Sequence, residues 1–362
     1  MIDRRLLVNL DWVLLGSTLL VSIVGVMLVS SASQSLQTGF AEKQASWCAI
    51  GLVVMVIAMS IDYHRLADQA PVFYLLVILA LMYVLFFGRI ISGARSWITL
   101  AGFRAQPSEV AKIVLALMLT KYFAEFRQNR VSAREIGAVA LIVGIPLLLT
   151  AAQPDLGTAV TFLPIAASAL ILAGMPTRWL VGIICTFLMI SLFAWFFLLK
   201  DYQKDRLTSF ISPEADPKGS GYHSIQSRIA VGSGGFTGKG YTQGTQSRLE
   251  FLPARHTDFV FSVLGEEEGF VGTLAVLGLY MLIIQRGFSA ARHARDRAGL
   301  FLAACLTSLI AFHIIINVGM VAGVLPITGI PLPFLSYGGS FTAVMFVSVG
   351  LILNVRMRKT VN

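Results

Sequence analysis

Apolar stretches of roughly 17–25 residues recur along the chain, and this is the length that a helix needs to cross the hydrocarbon core of a bilayer. Charged residues make up 13% of the 362 residues, whereas a soluble globular domain typically has about 25%. The sequence lacks the alternation of apolar and polar residues that is typical of a membrane β-barrel. It therefore predicts an all-α integral membrane protein.

The apolar windows predict about ten transmembrane helices. They lie at roughly 12–31, 45–61, 70–88, 107–124, 136–152, 157–174, 178–198, 268–285, 299–321 and 337–355. No soluble domain interrupts them, so we expect a single membrane domain over 1–362. The long polar connection between helices seven and eight, about 199–257, is expected to form one large extracytoplasmic loop that carries recognition.

The net charge of +9 arises from basic residues in connections beside the apolar spans. If the N-terminus is inside, the inner connections receive the dense basic groups, such as those at 127–134 and 286–297, which the positive-inside rule favours. We therefore expect a multi-pass protein of the cytoplasmic membrane with both termini cytoplasmic. Basic loops of this kind meet anionic membrane lipids, so we expect no nucleic-acid partner.

The three cysteines lie in separate apolar stretches without the spacing of a metal site or a disulfide framework. Cys48, Cys185 and Cys305 are therefore predicted to be small buried residues.

The main polar passage of the chain, 232–269, places Asp258 directly before the apolar run Phe259-Val260-Phe261. A carboxylate at the start of a membrane segment can have its pKa raised by desolvation or lowered by Arg255, and both suit a group that transfers a proton. Alternatively, Asp258 caps the next helix, since Asp is common before an apolar run. The residues alone leave both interpretations open.

Ionisable residues within spans are costly and often functional. Glu109 and Lys112 are three residues apart at the start of the fourth span, so a helix places them on one face. They form either a self-neutralising ion pair or the lining of a polar pocket. Asp155 either caps the sixth span or joins them. We expect Glu109, Lys112, Asp155 and Asp258 to converge on the outer side.

Glycines crowd the passage 232–244. A phosphate-binding P-loop is rejected because Gly240 follows Lys239 where Ser or Thr is required. The glycines form either a backbone that bends close to a ligand and offers N–H groups to an anion, or a flexible linker. Before them, 222–231 is predicted to be a short helix that lies in the membrane interface or packs on protein.

Two further polar features lie near the outer side. Three consecutive acids, Glu266 to Glu268, cannot share one helix face, so at least one is expected to meet water or a cation. Pro326, Pro331 and Pro333, followed by 336–340 with Ser336, predict an irregular re-entry before the last span, and such backbone requires protein or a wet cavity around it.

Several of these passages together resemble the SEDS family (shape, elongation, division and sporulation) along nearly the whole chain. They are FRAQPSEVAK at 103–112, AAQPDLGT at 151–158, DYQKDRL at 201–207, GYHSIQSRIAVGSGG at 221–235, GKGYTQGTQSRLEFLPARHTDF at 238–259 and NVGMVAGVLPITGIPLPFLSYGGS at 317–340. The stretch ending in HTDF is closer to the elongation branch of the family than to its division branch.

The resemblance implies a ten-span peptidoglycan glycosyltransferase that polymerises lipid II on the outer face of the cytoplasmic membrane. It implies a class B penicillin-binding protein as the partner that crosslinks the strands. It also implies that Asp258 is the residue essential for polymerisation, and that Glu109, Lys112 and Asp155 belong to a polar cavity.

The residues predicted to bind substrate around Asp258 include groups that stabilise the negative charge of the leaving diphosphate. The cationic candidates are Lys112, Arg206, Arg248 and Arg255, and the alternative is a divalent cation, Mg²⁺ or Mn²⁺, held by acids such as Glu109 or Asp155. His256 and Ser336 complete the predicted set. The rival function is a transporter that flips lipid II, but the polar candidates cluster on one side and no inverted pair of broken helices is visible.

Overall fold

The computed structural model describes residues 8–34, 39–91, 94–100, 103–126, 131–197, 204, 208–212, 220–248, 251–252 and 254–360. These residues are mostly helical. In chain order the helices are α1 (Trp12–Ala32), α2 (Phe40–Ser60), α3 (Tyr63–Asp68), α4 (Ala70–Phe87), α5 (Pro107–Ala124), α6 (Ala133–Ala152), α7 (Leu156–Val160), α8 (Leu163–Leu172), α9 (Thr177–Phe197), α10 (Ser220–Ser233), α11 (Thr245–Arg248), α12 (Val260–Arg292), α13 (Arg297–Val321) and α14 (Gly339–Met357).

The predicted membrane bundle is confirmed. Seven helices of the described residues, α1, α2, α4, α6, α12, α13 and α14, are long and apolar enough to cross a membrane. The three other predicted spans are helical as well. Of these, α5 carries three charged residues, α7 and α8 divide the sixth span at 161–162, and α9 runs for 21 residues.

Three short strands lie in the connection between α4 and α5, and the sequence analysis did not predict them. They are β1 (Arg89–Ile91), β2 (Ala94–Leu100) and β3 (Phe103–Ala105), which pair antiparallel in the order β1-β2-β3. Ile98 lies opposite Ala105, and Leu100 lies opposite Phe103. Strands of three to seven residues are too short to show a clear alternating pattern, which explains why they were missed.

The core of the bundle is formed by α13 and α14, which contact each other, while α14 packs on α2 and α13 packs on α5, α8 and α12. Small residues allow close approach of these helices, as is usual in membranes. A Cβ on Gly350 of α14 would lie only 2.7 Å from the carbonyl oxygen of Met55 on α2. Close approach also occurs against the connection between α13 and α14, since a Cβ on Gly25 of α1 would lie 2.2 Å from the carbonyl oxygen of Phe334.

Helix α12 is interrupted at Gly269, which has φ 63° and divides the segment 260–268 from the predicted eighth span. The glycine-rich passage packs against this break. The backbone N–H groups of Lys239 and Gly240 donate to the carbonyls of Glu266 and Glu267 at 3.0 and 2.9 Å. A Cβ on Gly269 would lie 2.2 Å from the Gly238 nitrogen. This packing contradicts the flexible-linker interpretation, and the approach of the glycine backbone to a ligand stays a prediction.

The helix predicted at 222–231 is α10, and it packs on protein by its small residues. Ser227 and Ala230 are buried. The Ser227 hydroxyl lies 2.8 Å from the Ser262 hydroxyl and donates to the Val321 carbonyl at 3.1 Å. Ile229 faces outward and stays exposed, so contact of that side with the membrane interface remains a prediction.

The cysteines follow the prediction in part. Cys48 and Cys305 are buried, whereas Cys185 is exposed on α9. The prediction for Cys185 is therefore wrong, because α9 exposes much of its described surface instead of packing into the core.

At the end of the bundle where α1 begins, ion pairs and an asparagine that donates to backbone carbonyls connect the helices. Asp11 contacts Arg286 at 2.6 Å and Arg356 at 3.8 Å. The Asn354 carboxamide near the end of α14 donates to the carbonyls of Ala58 and Met59 at 3.0 and 2.8 Å. This end lies opposite the residues of the candidate site.

Candidate functional site

Asp258 lies in a tight turn, 254–259, immediately before α12. The backbone N–H groups of Thr257 and Asp258 both donate to the Ala254 carbonyl at 3.0 Å, and Ala254 has φ 49°. The N-cap position of α12 is Phe259, so Asp258 does not take the capping position that was the alternative interpretation. Its side chain is half-buried.

Arg255 and His256 attach this turn to its surroundings. Arg255 is buried, and its Nε donates to the Ala32 carbonyl at the end of α1 at 2.6 Å. The His256 ring stacks on Phe40 with 4.6 Å between centroids, and its carbonyl accepts from the Tyr337 N–H at 2.8 Å. Burial, and secondarily the Arg255 charge, lower the pKa of His256.

A third attachment comes from Asn317 on α13, which the sequence analysis did not single out. Its fully buried carboxamide donates to the carbonyls of Asp258 and Ile330 at 2.9 and 2.8 Å. Ile330 belongs to the predicted re-entry, and we call residues 326–336 the re-entry segment. The Asp258 Oδ2 atom lies 3.6 Å from the position of a Cβ on Gly329, so the re-entry segment borders the carboxylate.

Glu109 and Lys112 form the predicted pair on one face of α5. Lys112 Nζ lies 2.8 Å from the Glu109 carboxylate, and both side chains are buried. Lys112 Nζ is also 3.4 Å from His313 Nε2 and 5.3 Å from the centroid of the Phe341 ring. His313 Nδ1 lies 3.1 Å from the Pro331 carbonyl, so the pair also reaches the re-entry segment.

His313 was missed by the sequence analysis although a signal was present. An ionisable residue within a span is a functional pointer in its own right, and His313 lies in the middle of the ninth span.

Asp155 takes the capping role of its two alternative interpretations, and its role in the site stays a prediction. One carboxylate oxygen caps α7 by accepting from the Thr158 N–H at 3.2 Å, and the other accepts from Gln106 Nε2 at 2.7 Å. Gln106 directly precedes α5. A Cβ on Gly157 would lie 2.5 Å from the Thr328 carbonyl oxygen, which places the start of α7 beside the re-entry segment.

The structure thus brings Asp258, the Glu109–Lys112 pair and Asp155 to one end of the bundle, around the re-entry segment. This convergence was expected from the sequence because the four residues are predicted to lie at a similar depth on the outer side of the membrane. Their roles toward a substrate stay predictions.

Ser336 is fully buried within the re-entry. Its hydroxyl accepts from the Leu332 N–H at 2.8 Å, and its carbonyl accepts from Gln44 Nε2 at 3.2 Å. These contacts stabilise local backbone, and substrate contact by Ser336 stays a prediction. Arg206 lies outside the described residues. Arg248 is the last residue of α11, and its predicted role is likewise untested.

The three consecutive acids diverge as expected. The Glu266 carboxylate accepts from Lys239 Nζ at 2.7 Å and from the Gln246 N–H at 2.9 Å. Glu267 accepts from the Ser31 hydroxyl, and Glu268 is exposed. The prediction that at least one acid meets a cation is confirmed by Lys239. These contacts hold the glycine-rich passage against α12.

The arrangement of acids does not favour a preformed metal cage. Within the described ranges, no group of three or more His, Cys, Asp or Glu side chains is placed to hold a metal ion. The Glu109 carboxylate faces Lys112, and both Asp155 oxygens accept hydrogen bonds. Since these residues do not fit the predicted Mg²⁺ or Mn²⁺ site as they stand, no catalytic step is derived through a metal.

Fold and site together define a multi-pass helical membrane protein with its polar centre at one end of the bundle. The chain belongs to the FtsW, RodA and SpoVE family, which is the SEDS family, because the family model described as "Cell cycle protein" matches residues 6–361.

Similar proteins cover almost the whole chain. Peptidoglycan glycosyltransferase MrdB of Escherichia coli (strain K12) is 40% identical over 360 residues, which is 97% of this chain and 95% of that protein. Peptidoglycan glycosyltransferase RodA of Treponema pallidum (strain Nichols) is 34% identical over 426 residues and covers 97% and 98%. A chain from a structure described as "Structural coordination of polymerization and crosslinking by a peptidoglycan synthase complex" superposes with a TM-score of 0.84, at 31% identity over 98% of this chain and 99% of that one.

Proposed function

We propose that this protein is a peptidoglycan glycosyltransferase that polymerises lipid II into β-1,4-linked glycan strands during cell elongation and rod-shape maintenance. Similar proteins that cover nearly the whole chain are named for this activity. The observation that carries the proposal is the placement of Asp258. Its half-buried carboxylate lies in a turn held by Arg255, His256 and Asn317, at the end of the bundle where Glu109, Lys112 and Asp155 also lie.

Asp258 is proposed as the general base. Its carboxylate takes the proton from the C4 hydroxyl of an acceptor GlcNAc, and the hydroxyl oxygen attacks the anomeric carbon of a second lipid-linked glycan. The bond to the diphosphate breaks, and the electron pair leaves with undecaprenyl diphosphate. Inversion from an α-linked diphosphate to a β-1,4 bond is the outcome of a single displacement. A positioned base typically contributes about 10²–10⁴-fold to the rate.

The leaving diphosphate gains negative charge, which a cation must stabilise. Lys112 is the proposed cation whose position the site geometry supports, because Lys112 lies at the centre of the polar end and next to His313. Arg206, Arg248 and Arg255 stay alternative candidates. Glu109, Asp155, His256 and Ser336 complete the proposed substrate-binding set.

The orientation follows from the substrate and the charges. We propose that the polar end faces outside the cytoplasmic membrane, with both termini in the cytoplasm. Arg286, Arg356 and Arg358 lie at the opposite end, as the positive-inside rule requires of a cytoplasmic side. The lipid tails of the substrate stay in the bilayer while the head groups reach the site, so the substrate enters laterally between helices.

The proposed partner is a class B penicillin-binding protein of the elongation complex, which crosslinks the strands. The description of the superposed structure, a synthase complex that coordinates polymerisation with crosslinking, supports such a pairing. The proposed domain organisation is one membrane domain over 1–362 with an extracytoplasmic loop at 199–257.

The test is polymerisation of labelled lipid II by the purified protein, with and without its class B partner, followed by electrophoresis of the glycan products. Asp258→Asn keeps the size of the side chain but removes the base, so the glycan ladder should vanish. Glu268→Gln is the matched control, because it neutralises an exposed acid ten residues further along and should leave the ladder intact. A normal ladder from Asp258→Asn would contradict the assignment. If the wild-type complex made no ladder but exposed lipid II head groups across vesicle membranes, the flipping function would replace this one.

A further inference from the structure

Helix α13 carries three buried polar side chains, Thr307, His313 and Asn317, and the last two lie one turn apart in a segment that is otherwise mostly apolar. His313 is 1% exposed and Asn317 is 0% exposed. Their spacing of four residues puts them on one face of the helix. Polar groups inside a membrane span are costly and persist where they have a specific task.

Both side chains bind the re-entry segment at successive carbonyls. Asn317 donates to Ile330, and His313 Nδ1 lies 3.1 Å from the carbonyl of Pro331. On its other side, each residue reaches a different part of the site. Asn317 donates to the backbone carbonyl of Asp258 at 2.9 Å, and His313 Nε2 lies 3.4 Å from Lys112 Nζ.

The chemistry of each side chain matches its contacts. The Asn317 carboxamide has two N–H groups, and each has one carbonyl to bond, which Asp cannot do because an ionised carboxylate only accepts. A carbonyl also only accepts, so His313 must carry its proton on Nδ1 to bond Pro331. This neutral tautomer leaves Nε2 as an acceptor toward the Lys112 ammonium.

We infer that Asn317 is a positioning residue for Asp258, and that His313 positions Lys112 in the same way. One face of α13 therefore ties the proposed base and the Glu109–Lys112 pair to the re-entry segment. The inference rests on the proposed function for its effect on rate, but the placement of Asp258 by Asn317 can be tested without activity. A misplacement of about 1 Å in a catalytic group can cost on the order of 10²-fold in rate.

The test compares Asn317→Ala and Asn317→Asp with Asn354→Ala. Asn354 is a matched control because it is also fully buried and also donates to backbone carbonyls, those of Ala58, Met59 and Ile61. It lies about 20 Å further along α14 from the site end, given a rise of about 1.5 Å per residue. All three variants remove buried hydrogen bonds, so all should lower the thermal unfolding midpoint.

Two readouts separate positioning from general stability. In the class B complex, Asn317→Ala should lower kcat for lipid II polymerisation by about 10–100-fold with little change in KM. Asn317→Asp should lose at least as much. In hydrogen exchange, the amides of 254–260 should exchange at least about threefold faster in Asn317→Ala than in the wild type, because the turn loses its anchor. Asn354→Ala should keep the wild-type values in both measurements.

If the amides of 254–260 exchanged at the same rate in Asn317→Ala as in the wild type, the inference would be overturned, whether or not the protein polymerises lipid II. A kcat loss in Asn354→Ala equal to that of Asn317→Ala would also overturn it, since general destabilisation would then explain both. An inactive wild-type complex would contradict the proposed function, while faster exchange in 254–260 would still support the placement of Asp258 by Asn317.

Discussion

Lys112 Nζ lies 2.8 Å from the Glu109 carboxylate, one turn away on α5, and both side chains are buried inside the bundle. Such a pair is poor evidence of stability by itself, because desolvation of two charges offsets their attraction. The two interpretations from the sequence, a self-neutralising pair and a pocket lining, predict different results when the pair is removed one residue at a time and then together.

Removal of one partner alone should be the most damaging change to folding. Glu109→Gln or Lys112→Met leaves an uncompensated buried charge, which typically costs about 3–5 kcal/mol. The double variant Glu109→Gln, Lys112→Met removes both charges and should regain most of that loss in thermal unfolding. If the pair lines the substrate site, the double variant folds but makes no glycan ladder. A stable and fully active double variant would show that the pair is purely structural.

Gly269→Ala should disrupt the packing of the glycine-rich passage on α12. Gly269 has φ 63°, and a Cβ there would lie 2.2 Å from the Gly238 nitrogen. The left-handed backbone and the overpacking together should lower the free energy of unfolding by about 2–5 kcal/mol. Gly278→Ala is the control on the same helix, since a Cβ there meets nothing within 4 Å. It should be neutral or stabilise by about 0.5–1 kcal/mol. Equal behaviour of the two variants in thermal unfolding would contradict the described packing.

His64 should make stability depend on pH at the end opposite the site. Its ring lies between Asp62 at 2.9 Å and Asp296 at 2.6 Å. Tyr63 donates to Asp296, and Arg358 contacts Asp62. Burial lowers the pKa of His64, but the hydrogen bonds to the two carboxylates and the attraction of their charges together raise the net value above 6.5. The pKa values of Asp62 and Asp296 are lowered below 3.8, because hydrogen bonds from His64 and backbone N–H groups outweigh burial.

These shifts set the pH window of the effect. The stabilisation by His64 is fully present below pH 6.5 and is lost as pH rises through the raised pKa of the folded state. The stabilisation by the two aspartates is lost only as pH falls through values below 3.8. The difference in unfolding midpoint between wild type and His64→Gln should therefore be largest between the lowered pKa values of the two aspartates and pH 6.5, and it should shrink as pH rises through the raised pKa of folded His64. About half of the side chain is exposed, so we expect a contribution below about 1 kcal/mol, weaker in high salt. A difference that grows with rising pH would contradict the arrangement.

The presence and order of the spanning helices could be predicted from the sequence because apolar stretches of spanning length are a strong signal, whereas ends of α2 and α12 differ from the prediction by five to eight residues. The predicted 12–31, 107–124 and 299–321 agree with α1, α5 and α13 to within two residues. The strands between α4 and α5 could not be predicted, since they are too short to show an alternating pattern of apolar and polar residues. The break at Gly269 could not either, because it depends on the distant glycine-rich passage that packs against it.

In the candidate site as well, some residues could be predicted from the sequence and others depend on contacts that form only in the folded chain. Asp258, Glu109, Lys112 and Asp155 were found because charges stand out in an apolar sequence. Asn317 is an uncharged residue within a span, and its importance comes from two carbonyls that only the folded chain brings to it. The sequence allowed Asp155 either a capping role or a site role; the structure shows the cap on one oxygen and a contact with Gln106 on the other, and the site role stays a prediction.

Arg255 was a candidate for binding the leaving diphosphate, and its observed contact suggests a test of that role. Its Nε donates to the Ala32 carbonyl at 2.6 Å, which fixes the turn of Asp258 to the end of α1. Arg255→Lys keeps the positive charge but loses the planar guanidinium geometry. If Arg255 acts mainly by holding the turn, this variant should lose about 1.5–3 kcal/mol in unfolding free energy, the usual worth of a hydrogen bond to a charged group, and its kcat should fall as well. Arg228→Lys, an exposed change on α10, should alter neither. If Arg255→Lys kept full activity despite its lower stability, the attachment of Arg255 to α1 would not be required for the reaction.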